Sequence, residues 1–62
     1  MLYAVTINVQ GQTRTFIVDA DMAEEAAAVV SGWAGKDDGD VPQVELANEF
    51  VGDSVFELYF LR

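Results

Sequence analysis

Along residues 2–9 the apolar side chains Tyr3, Val5, Ile7 and Val9 alternate with Ala4, Thr6 and Asn8. A period of two is that of a β-strand with one buried face. Gln10-Gly11-Gln12 reads as a turn, and Thr13–Val18, rich in β-branched residues, reads as a second strand. Placing Gly11-Gln12 as a two-residue loop opposes Ile7 to Phe16 and Val5 to Val18, which collects the bulky groups on one face. A slip of one residue opposes Ile7 to Thr15 and scatters them. Gly11 supplies the positive φ that such turns require.

At Asp21 the period changes. Met22, Ala26, Val29, Val30 and Trp33 fall on one stripe of a helix that runs to about Ala34. Asp21 is expected to cap the first free N–H groups, with Glu24 completing a capping box, and both charges suit the positive end of the helix dipole. Trp33 lies on the stripe and is expected in the core. Gly35 followed by Lys36 is a stop signal. Lys36-Asp37-Asp38-Gly39-Asp40 is a polar loop, and Pro42 discourages a helical continuation.

Two further strands are predicted near 43–50 and 55–61, joined at Gly52-Asp53. With Gly52-Asp53-Ser54 as the loop, Phe50 faces Phe56 and Leu46 faces Phe60, with Val44 and Leu58 in the same cluster. The opposite side then carries Glu45, Glu49, Glu57, Val51, Val55, Tyr59 and Leu61. The order β-β-α-β-β predicts one α+β domain over residues 1–62. Its architecture is a four-stranded, mostly antiparallel sheet with one helix packed on one face. The other face is left to water or a partner, and Leu2, Ala4 and Ile17 extend it.

A chain of 62 residues is near the lower limit for independent folding, where disulfides, metals or association often help. It has no Cys and no His, which excludes disulfides and the usual zinc, copper or haem ligands. A dense core from 52% hydrophobic residues remains, with support from a partner or a second copy. No signal peptide is visible in Met1–Thr6, so none is expected, and no apolar stretch approaches a membrane span. The expectation is a complete, soluble, cytoplasmic chain.

Nucleophilic catalysis needs a nucleophile beside a base. Ser31, Ser54, the threonines and Lys36 have no such neighbour, so catalytic residues are expected to be none. Paired carboxylates need a cleft to shift their pKa values, and this domain is too small to enclose much of one. Glycine-rich phosphate cradles are absent, so no cofactor is expected. Asp37-Asp38-Gly39-Asp40 resembles part of a calcium loop in residue type, but it lacks the twelve-residue spacing and terminal Glu. It reads as a solvated turn, and no metal is expected.

Eleven carboxylates against three bases give a formal charge of −8. Such a field repels nucleic acid and anionic membranes and favours basic surfaces, or serves only to keep the chain in solution. In size, acidity and lack of catalytic residues the chain resembles the small phage and mobile-element inhibitors that include anti-CRISPR proteins, some of them DNA mimics. The resemblance implies an inhibitor that acts in the host cytoplasm and blocks the basic nucleic-acid-binding surface of a target complex. The carboxylates available for that contact are Glu24 and Glu25 on the helix, Asp37, Asp38 and Asp40 in the loop, and Glu45, Glu49 and Glu57 on the sheet. Tyr59 is the apolar anchor beside them. The passage from Val18 to Ala26 is similar to the strand–loop–helix entry of HicB-like antitoxins, which makes an antitoxin-like or host regulatory module the alternative. Monomer and homodimer both remain open.

Overall fold

The hairpin turn decides the register of the whole sheet. The computed structural model describes residues 1–49 and the backbone of residues 56–58. The expectations for residues 50–55 and 59–62, and for the side chains of 56–58, lie outside the described residues. β1 (Leu2–Val9) and β2 (Gln12–Asp19) pair antiparallel, with Val9 opposite Gln12, Ile7 opposite Arg14, Val5 opposite Phe16 and Tyr3 opposite Val18.

The loop is therefore Gln10-Gly11, one residue earlier than the sequence pattern suggests. Gln10 (φ 51°) and Gly11 (φ 77°) both have positive φ, the signature of a type I′ turn, which favours Gly at its second position. Moving the loop by one residue slides the register by two, and a slide of two keeps every side chain on its face. Tyr3, Val5, Ile7, Phe16 and Val18 accordingly share one buried side.

β3 (Gln43–Leu46) pairs antiparallel with the other edge of β1, from Thr6 opposite Gln43 to Tyr3 opposite Leu46. β3, β1 and β2 thus make a three-strand antiparallel sheet. The three-residue β4 (Phe56–Leu58) runs parallel along the far side of β2, giving the order β3-β1-β2-β4. β3 and β4, the described parts of the hairpin expected between 43–50 and 55–61, do not pair with each other, because they lie on opposite edges. The first of these strands ends at Leu46, where Ala47–Glu49 wind into a single 3₁₀ turn. Ala, Asn and Glu are all poor strand formers.

The helix α1 (Ala23–Ala34) packs on the face carrying Val5 and Phe16. Its N-cap is Met22, with extended backbone and no side-chain cap, so the expected cap at Asp21 is corrected by one position. The Met22 carbonyl accepts the Ala26 N–H at 3.1 Å. At the other end Gly35 takes the left-handed conformation (φ 72°, ψ 53°), and its N–H returns to the Ser31 carbonyl, as glycine at a helix stop commonly does.

Of the predicted stripe only Ala26 and Val30 are buried. Met22, Val29 and Trp33 are exposed, which overturns the expectation of a buried Trp33. Trp33 keeps one edge-to-face contact with Phe16, centroids 5.6 Å apart. The helix seats Ala26 and Val30 in the core, and Met22, Val29 and Trp33 stand beside them in solvent.

The face away from α1 is not simply open. Ala4 and Thr15 alternate to that side, yet they are 1% and 0% exposed. The Thr15 hydroxyl lies 3.0 Å from that of Thr6, a hydrogen bond that satisfies the buried group. Leu2, Gln43 and Glu45 on the same side are exposed. Each fully buried Phe, Ile or Val contributes about 1.5–3 kcal/mol through burial, and Phe16, Ile7, Val5, Val18 and Val30 are the largest of these. Among the described residues no helix is long and apolar enough to cross a membrane.

Candidate functional site

β3 covers β1 only as far as Thr6. Beyond that residue the outer edge of β1 would present unpaired backbone groups, which bind water or another strand. The acidic loop fills this gap. The Asn8 N–H donates to Asp40 Oδ2 at 2.8 Å, and the Asn8 side-chain amide donates to Asp40 Oδ1 at 2.8 Å. The Asn8 carbonyl accepts the Asp37 N–H at 2.8 Å. Asp37 then reaches over the turn, where its carboxylate accepts the N–H groups of Gln10 at 2.7 Å and Gly11 at 2.9 Å. The loop is closed on itself by the Asp40 N–H on the Asp37 carbonyl at 3.1 Å. Gly39, with φ 82°, allows that reversal.

The stretch that reads as a solvated turn is thus a clamp on the hairpin. Asn8, its centre, is not among the residues that charge and periodicity single out. The signal that could have found it is the habit of Asx residues of bonding nearby backbone at turns. Its side-chain oxygen also accepts the Thr13 hydroxyl at 2.8 Å. Donation by the Asn8 N–H, then by its side-chain amide, holds the Asp40 carboxyl below its ordinary value, with Lys36 adding to the effect and desolvation opposing it.

The nine predicted contact residues separate into distinct groups. Asp37 and Asp40 are committed to the clamp through their carboxylates. Asp38 is exposed beside them. Glu24 and Glu25 are exposed in the first turn of α1, Glu45 on β3 and Glu49 in the 3₁₀ turn. The side chain of Glu57 and all of Tyr59 lie outside the described residues.

Topology places these charges at two poles. The hairpin turn and the loop of residues 37–40 form one end of the sheet. The start of α1, Asp19 and Glu49 gather at the other, where Leu2 pairs with Asp19 and Tyr3 with Leu46. An eight-residue strand separates them, a span of about 23 Å at 3.3 Å per residue. Asp19 is held there by an ion pair, its Oδ1 3.0 Å from the ammonium of Met1.

Among the described residues no group of three or more acidic side chains converges as metal ligands would. A shallow depression of about 290 Å³ is lined by Met1, Leu2, Leu46, Ala47 and Asn48. Its lining side chains include no acid, base or nucleophile that could drive a reaction. Comparison with models of protein families, with curated proteins and with solved structures finds no significant match to this chain.

Proposed function

We propose that the chain is a non-catalytic acidic binding protein that occupies the basic, nucleic-acid-binding surface of a target complex and thereby inhibits it. The observation that carries this reading is the net charge of −8, with carboxylates of the described residues grouped toward two ends of the sheet. Along one strand of B-DNA phosphates rise about 3.4 Å per step. Two acidic poles about 23 Å apart match roughly seven such steps.

The clamp supports the reading in a second way. Asp37 and Asp40 are fixed by backbone N–H groups, so Asp38 is offered from a loop that loses little freedom on binding. Association through these charges is fast and weakens with salt. An inhibitor of the anti-CRISPR type, acting as a DNA mimic, would have these properties.

The test is capture of prokaryotic nucleic-acid-handling complexes on immobilised protein at low salt, followed by a salt gradient and by competition with an oligonucleotide. A complex that elutes as salt rises, and that the oligonucleotide displaces, is the expected outcome. A salt-resistant partner, or one indifferent to the oligonucleotide, would sink the mimic reading. The charge-reversal control is Asp38→Lys with Glu45→Lys and Glu49→Lys, because reversing Asp37 or Asp40 would break the hairpin clamp as well as the charge.

A further inference from the structure

The helical repeat places Val29 and Trp33 in one row along the flank of α1, beside the buried pair Ala26 and Val30, and the N-cap residue Met22 stands at the head of that flank. Met22, Val29 and Trp33 are 55%, 38% and 49% exposed. At 1.5 Å per residue the flank from Met22 to Trp33 is about 16 Å long, three turns of helix. Glu25 borders it at the Met22 end, and Gly32 borders it beside Val29 and Trp33.

Gly32 is the informative residue. Glycine in a helix interior is destabilising relative to alanine. Nothing in the fold asks for it here, because a Cβ at Gly32 would meet no atom within 4 Å. It is not a helix end, and its φ is not in the left-handed region. Its missing side chain leaves a notch in the outer wall of the row, of the kind that lets a second backbone approach closely.

We infer that the flank Met22–Val29–Trp33, notched at Gly32, is the docking seat for an amphipathic helix of the partner protein, with its basic residues facing Glu25. This rests on the proposed function and names the part of the target that the chain grips. Three observations converge. An apolar row at helical spacing matches the ridge of a helix. An exposed Trp steadied by Phe16 is an anchor of the kind that dominates binding energy. Glu25 at its border and the net charge of −8 select a basic occupant and oppose a second copy of this chain.

Trp33 is the sole Trp and reports on the seat directly. The probe is a Leu/Lys amphipathic peptide of about 18 residues, long enough to be helical when bound, with a Leu/Glu peptide of the same pattern as control. The Lys peptide is expected to shift Trp33 emission to the blue and the Glu peptide to leave it unchanged. Gly32→Gln fills the notch with a good helix former, so it should raise thermal stability while weakening the Lys peptide by about tenfold or more. Val29→Glu should weaken it similarly. An unmoved Trp33 emission overturns the inference, as does equal affinity in Gly32→Gln and Val29→Glu to that of the parent. If the peptide instead binds in both variants and is lost in Glu45→Lys with Glu49→Lys, the seat is wrong while the charge reading of the protein stands. Emission that shifts with protein concentration alone would assign the flank to a second copy and overturn the inference as well.

Discussion

Asn8 joins three parts of the chain through four hydrogen bonds, to Asp37, to Thr13 and twice to Asp40. Its role is to satisfy an edge of β1 that no strand covers. The Asp40 carboxyl, held below its ordinary value of 3.8, makes the arrangement sensitive to acid. A depressed folded-state value means that the unfolded chain takes up the proton first. The stabilisation is therefore present above pH 3.8 and is lost as pH falls through the lower folded value. Urea midpoints for the parent and Asp40→Asn should differ at pH 7 and converge in acid, and parallel curves would dismiss the linkage. Asp37→Ala should cost about 1 kcal/mol, a modest value for charge-assisted bonds exposed to water, and should speed hydrogen exchange at Gln10 and Gly11. Among the described residues, Gln10 is the one at positive φ that is not glycine. Asn tolerates that conformation better, so Gln10→Asn should stabilise by several tenths of a kcal/mol, read as a higher thermal midpoint.

At the scale of elements, α1 starts without a side-chain cap, and Met22 has the extended backbone that a capping residue needs. Met22→Ser should therefore stabilise the helix by about 1 kcal/mol, while removing one member of the apolar flank and weakening the amphipathic peptide. A gain in both properties would contradict the flank. The alternation in residues 2–9 and 13–18 makes the first two strands and their buried face legible in the sequence, and Gly35 makes the helix stop legible. Register is not legible in the same way, because Gly11 satisfies a turn at either of its central positions; the two choices differ by a slide that parity cannot detect. Burial of Trp33 is not legible either, since periodicity gives the direction of a side chain and not the width of the sheet beneath it. The loop carboxylates show only their charge in the sequence. Their bonds to Asn8, Gln10 and Gly11 depend on which edge of β1 is left bare, and that follows from the short β3, which the residue pattern extends too far. The second hairpin is not legible either, since β3 and β4 lie at opposite edges of the sheet and do not pair.

For the whole molecule, charge and clamp oppose one another. A net charge of −8 on 62 residues repels itself, and few basic groups offset it. Raising salt from about 0.01 M to 1 M shrinks the screening length from about 30 Å to 3 Å. The urea midpoint should rise across that range with an unchanged slope, while affinity for a basic partner falls. A midpoint that drops with salt would mean that ion pairs outweigh the repulsion. The opposite signs of these two responses separate the energetics of the fold from those of binding in a single titration.

The clamp also sets an order of events in time. Its hydrogen bonds join residues 26, 27 and 32 positions apart in the chain, whereas the hairpin it closes is purely local. On a ribosome adding about 5–20 residues per second, β1 and β2 would emerge a second or more before Asp37 and Asp40 arrive. During that interval the edge of β1 around Asn8 is bare, and a neighbouring nascent chain could pair with it. The two aspartates are thus also a latch against misassembly that engages late, after the hairpin it guards is already made.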